Sequence, residues 1–298
     1  MENVVKKKKI KWDQASFVAF TTSIPLLMFC VFYVYVNYSS IRMAFVDEYT
    51  NQGTWKYFEL FFKEMGKADG DLIISLKNTL RYFVLQNFIL FPLSVLFSYF
   101  LYKKIYGYKW FRIIFFMPSI ISGVVLSTIF RYMVNGPISD MVQEWFNMEY
   151  PPLFFNSPKY ANSTIMVYVF WLGLAGQMII FSGTMARIPH EIVESSKIDG
   201  AGFFREFVSI CIPLIWPTLS TLILMNVIGI FGASGPVILF TRGQYGTSTL
   251  SYWIYEATAV APNYHYASAV GLVMTAVTIP IVFICRWVMN KINSGVEY

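Results

Sequence analysis

The chain has 298 residues, of which 56% are hydrophobic, 19% aromatic and only 13% charged, with a formal net charge of +6. So apolar a composition excludes a soluble globular domain. The basic residues flank apolar segments, so the charge reports membrane topology and gives no reason to expect a nucleic-acid partner.

A bilayer core of roughly 30 Å takes about 20 mostly apolar helical residues to cross, and a helix satisfies its own backbone hydrogen bonds there. Charge-free stretches occur in chain order at 17–38, 82–102, 113–130, 165–185, 212–231 and 267–285. They predict an all-α integral membrane protein with about six transmembrane helices, near 17–38, 80–102, 110–132, 165–185, 209–231 and 267–289. One membrane domain, 17–298, follows a basic N-terminal segment, 1–16. The first helix comes after Lys6, Lys7, Lys8, Lys9 and Lys11 and lacks a small-residue cleavage site, so it reads as a retained span and not a signal peptide.

After it, Trp55, Tyr57, Phe58, Leu60, Phe61 and Phe62 alternate with Lys56, Glu59, Lys63 and Glu64, the pattern of a short helix lying in the outer interface or of an aromatic loop. Segment 135–163 has turn signals at Asn135-Gly136-Pro137 and Pro151-Pro152, with room for a short helix over 139–146. Between the fifth and sixth spans, Gly232-Ala233-Ser234-Gly235-Pro236 precedes the apolar 237–240, a re-entrant or interfacial piece. Pro25, Pro92, Pro118, Pro217 and Pro280 interrupt spans and read as packing kinks.

The basic run places the N-terminus in the cytoplasm, and six spans return the C-terminus there. Short loops on that side carry Lys103, Lys104, Lys109, Arg112, Arg187, Lys197, Arg205, Arg286 and Lys291, whereas the longer outer loops mix bases with Asp47, Glu48, Asp69, Asp71, Asp140, Glu144 and Glu149. Cys30, Cys211 and Cys285 lie in or beside apolar helices and read as small core residues. The span interiors hold no Asp, Glu, Lys or Arg, which disfavours an ion-coupled pump. His190 and His265 fit no metal spacing, and there is no catalytic motif or Walker loop, so no metal, cofactor or ATP site is expected on this chain.

The segment from Ile188 to Pro213 carries the specific pattern. Pro189 suits the start of a helix and Gly200 a break about three turns later. Ile188, Ile192 and Ser195 to Ser196 recur on one face, with Glu191, Glu194 and Lys197 free to meet a polar partner. On periodicity alone this is an amphipathic connector.

Its spacing resembles the EAA loop of binding-protein-dependent ABC importer permeases: Glu-Ala-Ala, three residues, Gly, nine residues, Ile, one residue, Leu-Pro. Glu194, Gly200, Ile210 and Pro213 fall in register, Ser195 and Ser196 replace the alanines, Ile212 replaces leucine, and Asp199-Gly200-Ala201 is the form common in the sugar-importing branch. Asn78-Thr79-Leu80, Gly107, Phe111-Arg112, Pro118-Ser119, Thr241-Arg242-Gly243, Thr247 to Leu250 and Tyr255 are similar to further segments of maltose-type permeases, with Arg242 in place of a usual glycine.

The resemblance implies a type I importer transmembrane domain, N-in and C-in, whose coupling loop, 187–208, docks on an ATPase through Glu191, Glu194, Ser195, Ser196, Asp199, Gly200, Ala201, Ile210 and Pro213. It implies a second permease subunit, usually different, two ATPase subunits that hold ATP and Mg, and an extracellular solute-binding protein. An uncharged path suits a sugar, held by ring stacking and amide hydrogen bonds, for which Asn87, Tyr168, Trp171, Gln177 and Asn226 stand at membrane depth. The alternatives are a permease for a peptide or amino acid, an integral membrane enzyme and a passive channel.

Overall fold

The computed structural model describes residues 12–292, and the basic run from Lys6 to Lys11 lies outside the described residues. Among the described residues, five helices are long and apolar enough to cross a membrane: α1 (Ser16–Phe45), α3 (Asp71–Tyr102), α6 (Ala161–Met185), α8 (Phe203–Ile228) and α11 (Tyr264–Ile292). A further apolar pair, α4 (Tyr108–Ile120) and α5 (Gly123–Trp145), meets at a bend of 108° and makes a sixth span only when the two pieces are taken together. The straight third span expected over 110–132 is therefore two pieces. Pro118 weakens the end of α4, and extended backbone at Ile121 and Ser122 separates it from α5.

Two compact units make up the chain, 1–61 with 263–272 and 62–262 with 273–298. In the first, the apolar stretch of α1 has no buried residue, and only Ala44 near its end is buried. A turn follows in which Asp47 pairs with Lys56 at 3.3 Å and accepts backbone N–H groups from Tyr49 and Thr50. The amphipathic segment forms a helix, α2 (Lys56–Met65), with Tyr57 and Phe61 buried. Its Tyr57 ring stacks on His265 at 5.8 Å, which gives that histidine a packing role.

In the second unit, α3 starts at Asp71, well before the apolar run at 82, because polar and charged residues such as Lys77 and Arg81 continue the helix beyond the lipid-like part. At 32 residues it is about 48 Å long, more than a bilayer core requires. Wide helical turns at Leu85–Leu90 and Phe207–Cys211 lie just before Pro92 and Pro213. Each proline lacks the N–H for the carbonyl four residues back, and the wide turn absorbs that loss without breaking the helix.

The interior consists of two apolar clusters in succession along α3 and α6. One joins Tyr82, Leu85 and Leu90 to Ile165, Tyr168, Met178, Phe155 and Phe240. Phe240 belongs to the short helix α9 (Val237–Phe240), so the piece after Pro236 tucks into the bundle. The other joins Phe91, Val95 and Tyr99 to Phe181, Met185, Phe207, Cys211 and Ile215. Of the cysteines only Cys211 is a core residue; Cys30 is exposed and Cys285 half-buried.

Candidate functional site

The loop between α6 and α8 folds as α7 (His190–Ile198), closed by Gly200 at φ +75°. The Gly200 N–H donates to Lys197 O at 3.0 Å and the Ala201 N–H to Ser196 O at 2.9 Å, the paired bonds of a Schellman cap. Nothing lies within 4 Å of a Cβ built at Gly200, so backbone conformation alone selects glycine there.

A nine-residue helix is too short to persist alone in water, so its neighbours must hold it. Ile188 and Val193 belong to the second apolar cluster and Ser196 is also buried. Burying an aliphatic side chain at an aqueous rim contributes about 1.5–3 kcal/mol. The inward face is thus Ile188, Val193 and Ser196; Ile192 and Ser195, expected to share a face with Ile188, point outward. The phase differs from the periodic expectation because Pro189, the N-cap, is non-helical at ψ 134°, so Ile188 lies off the helical register.

Glu191, Glu194, Ser195 and Asp199 are exposed, Ala201, Ile210 and Pro213 half-buried. Beside them Ile198 is 87% exposed and Phe204 74% exposed, an apolar pair flanked by carboxylates that the spacing did not single out. A further contact unseen in the sequence joins the ends of α3 and α8: Lys103 Nζ meets both carboxylate oxygens of Glu206. Glu206 thereby becomes a buried charge inside a membrane helix, at its basic end.

The residues expected on the solute path do not share one setting. Asn87 donates to Phe83 O one turn back at 3.0 Å. Tyr168 is core, donating to Gly123 O at 3.3 Å and packing on Phe130 and Phe240 at 5.1 and 5.0 Å. Trp171 is half-exposed and stacks on Phe130 at 6.3 Å. Gln177 Oε1 and Asn226 Nδ2 are buried without hydrogen-bond partners among the described residues.

At the other end of α3, Asn78 holds the loop before α10 (Leu250–Tyr255), donating to Gly246 O and Ser248 O at 2.7 and 2.8 Å. It accepts from Asn162 and Arg81 at 2.8 and 3.2 Å. Thr79 accepts the Leu250 N–H at 2.8 Å. In that loop Arg242, standing where maltose-type permeases usually have glycine, takes the left-handed conformation at φ +52°.

A short helix with an exposed outer face, α7, thus lies between membrane-length helices. Residues 73–298 match the binding-protein-dependent transport system inner membrane component family, and the chain belongs to it. It is a multi-pass protein of the bacterial cell membrane. It is 24% identical to the arabinooligosaccharides transport system permease protein AraP of Halalkalibacterium halodurans, over 84% of this chain and 80% of the relative. It is 25% identical to the lactose transport system permease protein LacF of Rhizobium radiobacter, over 81% of this chain and 84% of the relative. Its fold matches a chain of a bacterial ABC transporter involved in import of the acidic polysaccharide alginate, with a TM-score of 0.78, 21% identity and coverage of 94% and 97% of the two chains.

Proposed function

We propose that this permease moves a sugar or oligosaccharide inward by alternating access, driven by ATP hydrolysis on two separate ATPase subunits and paired with a second, different permease subunit. The observation that carries the reading is the seating of α7: its inward face belongs to the same apolar cluster as the ends of α3, α6 and α8, while its outer face is exposed among the described residues. Displacement of α7 by an ATPase would be transmitted to three membrane helices as one packed body, since close-packed interiors do not deform locally. ATP and Mg belong to those partners. The basic ends of the spans support an N-in, C-in orientation with α7 in the cytoplasm.

The sugar assignment draws on the saccharide permeases this chain resembles and on the buried, unpaired amide atoms of Gln177 and Asn226. Purification of the tagged chain from its native membrane, with mass spectrometry of its partners and uptake of labelled oligosaccharides in a deletion strain, tests the whole reading. An ATPase, a second permease and saccharide uptake restored by the intact gene are expected. Peptide or amino-acid uptake in place of saccharide uptake would overturn the substrate assignment.

A further inference from the structure

We propose that the basic end of the bundle contains a binding site for an anionic phosphate group, inside this chain between α3, α4 and α6 and touching the first residue of α7. The cavity has a volume of about 470 Å³ and is lined by Tyr102, Lys104, Tyr108, Arg112, Ser182 and His190 among others. Its lining contains no carboxylate.

The hydroxyl oxygens of Tyr102 and Ser182 are buried and have no hydrogen-bond partner. Buried hydroxyls are rarely left unpaired, so an acceptor in the cavity would remove a standing cost. Neighbouring Lys103 is neutralised by Glu206, whereas Lys104 and Arg112 have no ion-pair partner among the described residues. Arg112 lies over the Phe116 ring at 5.7 Å. Lys104 adopts the left-handed conformation at φ +50°, a strained state for a lysine that serves to turn the chain at the cavity rim.

Two cationic side chains, several hydroxyl donors and an absence of acids match the charge and the multiple acceptor oxygens of a phosphate. A neutral sugar would not need the cations, and a metal ion would find no anionic ligand. The volume exceeds a bare phosphate and leaves room for its ester group. Two sources share that chemistry, an anionic phospholipid headgroup of the adjoining leaflet and a soluble phosphate ester. Basic pockets between membrane helices on the cytoplasmic side suit the former. Because His190 begins α7, an occupant that prefers one placement of that helix would shift the chain towards it.

Binding of a phosphate-bearing probe can be read without transport. Full-length chain purified from the membrane and stripped of lipid would be titrated with phosphatidylglycerol and, separately, with glycerol 3-phosphate, following bound ligand by native mass spectrometry. The Lys104→Gln, Arg112→Gln double variant would be compared with a Lys109→Gln, Lys291→Gln control of equal charge outside the cavity. Loss of two charge-assisted contacts should weaken binding at least about tenfold, with the control like wild type. Ser182→Ala, a one-atom deletion, should weaken the same probe about threefold. Phosphatidylglycerol binding alone assigns the site to lipid, and glycerol 3-phosphate binding to a soluble ester. No binding of either probe by wild type, or equal binding by wild type, Ser182→Ala and the double variant, would overturn the proposal.

Discussion

The ammonium nitrogen of Lys103 lies 2.9 Å from one carboxylate oxygen of Glu206 and 2.8 Å from the other, tying the end of α3 to the start of α8 beside the coupling helix. Glu206 is 2% exposed. A carboxylate so buried is tolerated because its partner is held in place, and stranding it costs about 3–5 kcal/mol.

Lys103→Met should therefore lower the thermal stability of the purified permease sharply, and Lys103→Met with Glu206→Met should recover most of the loss. Thermal unfolding in detergent measures both. Wild-type stability of the single variant would mean that the pair does not anchor α8.

The cap at Gly200 gives a prediction with a built-in control. With open space around its Cβ position, Gly200→Val pays only for the left-handed backbone, about 1–2 kcal/mol or more for a β-branched residue. Asparagine tolerates that conformation, so Gly200→Asn should retain far more ATPase on the purified membrane core than Gly200→Val. Equal retention by the two variants would show that the cap conformation does not govern docking.

Glu194 is exposed on the outer face of α7, so Glu194→Lys should leave insertion and pairing intact while weakening ATPase retention and uptake, most at low salt where screening is least. Lys291→Glu is the control reversal outside the loop. Unchanged retention and uptake in Glu194→Lys would return this face to the status of an ordinary connector.

At the opposite end, Asn78 is 1% exposed and uses both amide hydrogens on the carbonyls of Gly246 and Ser248. Asn78→Ala leaves those carbonyls without their donor, at a cost of about 2–4 kcal/mol. Limited proteolysis should then cut the 242–249 loop in the variant and spare it in wild type. Equal resistance would assign the order of that loop to other contacts.

The solute path was the least legible part of the sequence, and the reason is physical. Tyr, Trp and Asn at membrane depth serve packing and interhelical bonding as readily as recognition, and the Tyr168 hydroxyl and the Asn87 amide nitrogen already donate to backbone carbonyls of this chain. The spans, by contrast, could be read from uninterrupted apolar length. That rule fails where charge and helix coexist, as in the Asp71 to Arg81 turns of α3, and where a bend hides in an apolar run, as at Ile121 and Ser122. The helix and its glycine stop between Pro189 and Gly200 were visible in the sequence, but the inward face was set by the non-helical Pro189. Lys103 and Glu206 are 103 residues apart, and only the packing of α3 against α8 brings them together.

The central claim is that this chain is a permease whose work is done by ATPases docked on α7. ATP hydrolysis and solute uptake should be measured in proteoliposomes holding the purified chain alone and holding it with its co-purified partners and binding protein. The account predicts no ATP turnover by the chain alone, and binding-protein-dependent, ATP-driven uptake by the assembly that falls in Glu194→Lys. ATP hydrolysis by the pure polypeptide, or ATP-driven uptake without a partner ATPase, would contradict it.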